Sequence, residues 1–174
     1  MPSYQPGNPL DKGTVMGAIA DQAQLDNVMR HIDLGTSEGA QLLAGGALAT
    51  PVQGGCYVQP TIFDGVTPEM TIAREEIFGS VLSVLSFTDT ADVVKHANAN
   101  GLQAEVWTRD LNKAHGVARA LRAGTVHVNS YDEDDITVPF GGFKQSGVGR
   151  DKSLHAFDKY TEMKTTWIRI DSPV

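Results

Sequence analysis

The chain has a single cysteine, Cys56, so no disulfide can close within it, and that scarcity fits a reducing, cytoplasmic compartment. Positive charge is also short. Fourteen Lys and Arg stand against 21 Asp and Glu, a net charge of −7, which helps solubility and argues against a nucleic-acid partner, because phosphates need a basic face. No apolar run approaches the roughly 20 residues that span a bilayer, so no membrane segment is expected. The opening MPSYQPGNP has neither the basic start nor the apolar centre of a secretory leader. His31, His96, His115, His127 and His155 are scattered, with no pair at i, i+4, so no metal site is expected. Phosphate loops are missing too. No G-x-x-x-x-G-K-[ST] is present, and Gly147-x-Gly149 has Lys152 where the dinucleotide fingerprint needs its third glycine. What remains, 41% apolar and 20% charged over 174 residues, is the composition of a soluble globular protein able to bury one good core.

What is present reads as alternating elements. Asp21 is a suitable N-cap, and Leu25, Val28, Met29 and Ile32 fall at i, i+3, i+4 and i+7. That stripe predicts a helix to about Leu34, stopped by Gly35. Residues 39–44 and 57–63 read as strands, and 72–78 as a short helical or irregular piece carrying Arg74, Glu75 and Glu76. The near-continuous apolar run at 81–87 predicts a strand covered on both faces. A helix at 88–98 (Ala91, Val94 and Ala97 inward), a strand at 104–108, a helix at 111–121 (Ala114, Ala118 and Leu121 inward) and a strand at 125–128 follow. Strand and helix alternating over short links predict an α/β fold with a parallel sheet and right-handed crossovers. Ser153 is placed to cap a helix through Tyr160. Residues 165–170 alternate as a closing strand, with Trp167 on one face and Thr166, Ile168 and Ile170 on the other. Such an edge predicts pairing with another chain.

The densest stretch is 125–150, TVHVNSYDEDDITVPFGGFKQSGVGR. Asn129 ends the strand, four acids occupy 132–135, and Pro139-Phe140-Gly141-Gly142 breaks both helix and strand. A long surface loop with a solvated acidic run would have the same composition. The order of residues is more specific. VNSY…VPFGGFKQSGVGR resembles the VN-x(n)-PFGG-x-K-x-SG signature of aldehyde dehydrogenases. PGNPLDKGTVMGAI, GGCYVQPTIF and AREEIFGS match further segments of that family in the same order, so the resemblance covers essentially the whole chain.

The resemblance implies the C-terminal part of such an enzyme. Residues 1–160 would be a portion of the αβα parallel-sheet catalytic domain, and 161–174 the C-terminal oligomerisation strand and tail of a homo-oligomer. The family's reaction runs through cysteine attack on a small aldehyde, a thiohemiacetal, hydride transfer to NAD or NADP, and thioester hydrolysis. The G-Q-x-C setting of the nucleophile, the E-L-G-G-K setting of the general base and the dinucleotide-binding domain are not in this sequence. Cys56, in GGCY with no base beside it, reads as a structural cysteine. No catalytic residue is therefore assigned, and the chain alone is expected to bind no cofactor and oxidise no aldehyde.

In the family's E-E-I-F-G motif the second glutamate takes the hydroxyls of the nicotinamide ribose and the phenylalanine packs beside the nicotinamide, which implies cofactor roles for Glu76 and Phe78. A carboxylate can accept from both hydroxyls. Taken without the family, Glu75 and Glu76 beside Arg74 read as a partly paired surface patch. Ser80 stands where the family has proline. Asn129 reads as a turn former, and by resemblance positions the substrate end of the pocket. Ser130, Asp132, Asp134 and Phe140 fall where the family lines its substrate funnel. An acidic wall there selects an aldehyde with an amine or another polar end, and DKSLHAFDKYTEMKTTWI resembles the putrescine-pathway aminoaldehyde branch. Lys144 and Arg150 read as solvated flanks of the glycine loop. The link from Asn98 to Gly101 is about two residues shorter than the family's. A second class of function remains open, a non-catalytic assembly module that self-associates or docks onto full-length subunits through 165–170.

Overall fold

The computed structural model describes residues 4–99, 101–131 and 135–171, in two compact units, Met1–Thr88 and Asp89–Val174. In the first unit Asp21 caps α1 (Gln22–Ser37) by accepting from the Gln24 N–H at 2.8 Å. The apolar stripe turns Leu25, Val28 and Ile32 into a core with Ala40, Val58, Phe63, Val66, Ile72 and Ile77. The helix runs past Gly35 instead of stopping there. A Cβ on Gly35 would lie 2.9 Å from Ile72 and 3.1 Å from the Phe63 ring, so this glycine lets the helix pack closely on the sheet.

That sheet contains β1 (Gln41–Ala44), β2 (Thr61–Asp64) and β3 (Val81–Ser83) in that order. β1 and β2 are antiparallel with a register shift between Leu42 and Ala44; β2 and β3 are parallel. A single turn, α2 (Thr71–Arg74), precedes β3. The strand expected over 81–87 covers only three residues, and Leu82 is 57% exposed. Among the described residues nothing covers that outer face, so the apolar run is buried on one side only.

In the second unit α3 (Thr90–Ala97) leads to β4 (Gln103–Val106), then α4 (Leu111–Ala120) crosses to β5 (Thr125–Val128), parallel to β4. α4 buries Ala114 as expected. α3 follows its predicted face only at Val94: Ala91 and Ala97 are exposed, and Thr90, Val93 and His96 join Val94 as the half-buried positions. The expected single parallel sheet is instead a mixed three-stranded sheet in one unit and a parallel pair in the other. After the glycine loop, with a 3₁₀ turn at Lys144–Ser146, the helix behind Ser153 is also 3₁₀, Leu154–Lys159. Residues 161–170 form no strand, and Trp167, Ile168 and Ile170 lie exposed. A lone strand has no ladder to satisfy its backbone, so this alternating stretch stays irregular without a partner.

Candidate functional site

The first turn of α1 is a platform for the turn that follows α2. The Gln24 side chain, fixed three residues after the cap, donates from Nε2 to the carbonyls of Ile77 at 2.9 Å and Phe78 at 3.0 Å. Asn27 Nδ2 adds a bond to the Ile77 carbonyl at 3.3 Å. Ile77 is buried in the core, and a Cβ on Gly79 would lie 2.5 Å from a methyl of the fully buried Val28. Between those two anchors Phe78 takes φ +56° and is 78% exposed. A phenylalanine in the left-handed region stores about 1–3 kcal/mol of strain, and this one does so while leaving its ring in solvent.

The two glutamates divide. Glu75 turns back to α1, reaching His31 Nε2 at 3.2 Å and Arg30 at 3.7 Å, so its partners are these residues and not Arg74. His31 is 2% exposed and holds the Asn27 carbonyl at 2.8 Å through Nδ1. Glu76 is exposed, and among the described residues its carboxylate has no hydrogen bond or ion pair. Glu76 and Phe78 are thus presented from one short turn, a free acceptor beside a free aromatic face. The expectation missed Gln24 and His31. His31 could have been found, since it lies beside Ile32 on the inward side of the helix. Gln24 could not, because its partners are more than fifty residues away.

In the second unit Asn129, at φ +56°, spends its amide on the strand exit. Oδ1 accepts from the Thr108 N–H at 2.9 Å and Nδ2 donates to the Thr108 carbonyl at 3.0 Å, tying the ends of β4 and β5. Ser130 is half-buried next to it. Asp132 and Asp134 lie outside the described residues. Asp135 accepts from the N–H and hydroxyl of Thr137, and these bonds, hydroxyl first, hold its carboxyl below the usual range.

Phe140 belongs to the other end of β5. It exchanges backbone bonds with Asp151 at 2.9 and 2.7 Å, and the Lys152 ammonium lies 5.6 Å from its ring centre. The next residue, Gly141, packs its carbonyl on Gly124, and the Phe143 N–H bonds to the Gly101 carbonyl at 2.9 Å. Five residues of extended chain, about 16 Å, separate Gly124 from Asn129. The structure therefore groups Asn129 with Ser130 and sets the Phe140 backbone apart from them. A cleft of about 180 Å³ beside Phe140, Leu102, Val148 and Arg150 is smaller than ordinary ligand pockets.

Lys144 is exposed, as expected of a solvated flank, and Arg150 is half-buried, but both spend their charged ends on backbone carbonyls. Lys144 Nζ donates to the Asn98 carbonyl at the end of α3, and Asn98 in turn bonds to the Ala120 carbonyl and the Arg122 N–H. This clasp ties the end of α3 to the segment that follows α4 and to the glycine loop. The Arg150 guanidinium bonds to the carbonyls of Gly142 and Gly149 and stacks 4.9 Å from the Phe143 ring centre. Cys56 is half-buried against the core, with Sγ donating to the Gln22 amide oxygen at 3.8 Å. No group of three metal-ligating side chains occurs among the described residues, and none of their helices is long and apolar enough to cross a membrane.

Residues 1–166 match the model of the aldehyde dehydrogenase family. The chain is 49% identical to the NADP/NAD-dependent aldehyde dehydrogenase PuuC of Escherichia coli, over 98% of this chain and 34% of that one. Among solved structures it resembles an indole-3-acetaldehyde dehydrogenase in complex with NAD+, with TM-score 0.91 and 57% identity, over 97% of this chain and 34% of that one. It also resembles a gamma-glutamyl-gamma-aminobutyraldehyde dehydrogenase from Burkholderia cenocepacia, with TM-score 0.89 and 55% identity, over 95% and 34%. The chain spans about a third of the length of the curated relatives it matches. A family model covering nearly every residue, and a backbone that follows those enzymes this closely, make the chain a member of the aldehyde dehydrogenase family.

Proposed function

We propose that this chain is the C-terminal third of an NAD(P)-dependent aldehyde dehydrogenase and supplies one wall of its nicotinamide site. The observation that carries this reading is Phe78, an exposed aromatic at positive φ whose flanking carbonyls are bonded from α1, beside the unengaged carboxylate of Glu76. A vicinal diol fits a carboxylate that no neighbour engages, since two oxygens can accept from two hydroxyls. In the complete enzyme Glu76 would orient the nicotinamide ribose, and the Phe78 ring would keep water from one side of the nicotinamide. The cofactor supplies the hydride acceptor. Neither residue transfers a proton; both act by positioning.

Asn129, Ser130, Asp132, Asp134 and Phe140 are assigned to the substrate wall on the family signature, with the acidic run favouring aldehydes that carry a cationic end. An oligomer would form through the alternating stretch at 165–170, whose apolar side chains are exposed here. The given sequence holds neither the G-Q-x-C nor the E-L-G-G-K setting, so this chain by itself is expected to oxidise nothing.

The test is a chimera that joins this chain to the remaining two-thirds of a relative. It should oxidise aldehydes, and Glu76→Gln and Phe78→Ala should raise the KM for NAD at least about tenfold, the loss of one or two polar or stacking contacts. Cationic aminoaldehydes should be preferred over neutral aliphatic ones, with the preference shrinking as salt rises. An active chimera whose KM for NAD ignores both substitutions would overturn the cofactor assignment.

A further inference from the structure

We infer that Gln24 is the positioning residue that holds Phe78 in its left-handed conformation; its use in catalysis rests on the nicotinamide reading above. The reason is geometric. The Ile77 carbonyl belongs to the peptide plane before the Phe78 Cα, and the Phe78 carbonyl to the plane after it. Rotation about φ moves one plane and rotation about ψ moves the other. Gln24 Nε2 bonds to both carbonyls, at 2.9 and 3.0 Å, so a single amide with two N–H groups fixes both torsions of one residue. Asn27 reaches only the Ile77 carbonyl, and at 3.3 Å. Gly79 seats the turn on Val28 but bonds to neither of the carbonyls that flank the Phe78 Cα.

Gln24 is itself held at both ends. Its backbone N–H is bonded to the Asp21 cap, and its side chain is half-buried. Nothing else in the turn favours positive φ, for the residue there is a bulky aromatic and not glycine or asparagine. Without the amide, Phe78 would relax to negative φ. Its ring would swing, and the Glu76 carboxylate would lose its fixed relation to that ring.

The experiment uses the whole chain in solution and needs no cofactor. A residue at positive φ gives a strong intraresidue amide-to-α-proton NOE, and Phe78 should show it. Gln24→Leu and Gln24→Glu, which remove the donor without and with a polar end in its place, should weaken it to the level of ordinary residues. Urea unfolding should show the same coupling. Glycine takes positive φ freely, so the factor by which Gln24→Leu raises the unfolding constant should fall at least about fivefold in a Phe78→Gly background. Failure of Gln24→Leu to fold, restored by Phe78→Gly, is the same result in stronger form. An unchanged NOE in both Gln24 variants, or equal destabilisation in the wild-type and Phe78→Gly backgrounds, would overturn the inference. In the chimera, Gln24→Glu should raise the KM for NAD and leave kcat within about twofold, as expected for lost positioning of a binding group. If the NOE and coupling hold while Glu76→Gln leaves the KM for NAD unchanged, Gln24 keeps its role and the ribose assignment fails.

Discussion

Gly79→Ala should unseat the turn that presents Glu76 and Phe78, and the structure allows its magnitude to be worked. The added methyl would lie 2.5 Å from Val28 Cγ2, roughly 1 Å or more inside the separation of about 3.5–4.0 Å at which carbon atoms attract. Val28 is fully buried in the core, so it cannot swing away into solvent. Overpacking of this kind costs about 1–3 kcal/mol. Val28→Ala alone removes two buried methyls and should cost about 2 kcal/mol. The double variant places the new methyl where the old ones were. Its cost should be below the sum of the two by about 1–2 kcal/mol, the coupling expected of side chains in contact. Urea unfolding of the four proteins measures this directly, with the m-value checking that the transition stays two-state. Additivity within about 0.5 kcal/mol would refute the seating of Gly79 on Val28.

Glu38 reaches across to α2 and accepts from both the N–H and the hydroxyl of Thr71, and these bonds, hydroxyl first, lower its pKa from the ordinary 4.5. A lowered folded-state pKa contributes stability that is fully present above the unfolded value and lost as pH falls through the folded one; the gap between wild type and Glu38→Gln in thermal midpoint should therefore be full near neutrality and close in acid as the pH falls from 4.5 through the lowered folded value. Gly124→Ala would put a methyl 1.5 Å from the Gly141 carbonyl oxygen, a backbone atom that cannot yield. It should cost about 3 kcal/mol or more, with loss of near-UV circular dichroism; a loss below about 1 kcal/mol would mean that the glycine loop is not strapped there. Deleting residues 165–174 should abolish any assembly seen by light scattering, and identical assembly states before and after would remove the tail as an interface.

The parts that were legible in the sequence are those set by neighbours a few residues apart. The Asp21 cap and the Leu25, Val28 and Ile32 stripe depend on helix periodicity alone, and both stand in the structure. The parallel pairing of β4 with β5 follows from an intervening helix on short links. What escaped depends on groups far along the chain or outside it. Gly35 looked like a helix stop because the closeness of Phe63 and Ile72 cannot be seen from its neighbours. The run at 81–87 looked fully covered, yet its outer face has no cover among the described residues. At the site, the E-E-I-F-G and PFGG motifs marked the segments, but not the strain at Phe78, the clasp of Lys144 on Asn98, or the grip of Asn129 on Thr108. Those are set by side-chain bonds to distant backbone carbonyls and amides, and pattern carries no information about them.

Whether this chain could react by itself turns on Cys56. A thiol nucleophile needs a base or another source of activation beside it, together with donors aimed at the developing oxyanion. Cys56 has the opposite surroundings. Its sulfur is half-buried against the apolar core, its hydrogen-bond partner is an amide oxygen on Gln22, and its carbonyl is taken by the Ile19 N–H at 2.8 Å. Cys56→Ser should therefore cost about 1 kcal/mol of stability, for a hydroxyl placed against apolar neighbours, and leave the isolated chain as it was, without turnover on NAD or NADP and an aminoaldehyde panel. The native thiol should also react with a disulfide probe many times more slowly than the urea-unfolded one. Turnover by the isolated chain that Cys56→Ser abolishes would mean that this short chain is an enzyme in its own right, because no other residue in it can form the covalent bond that the family's chemistry requires.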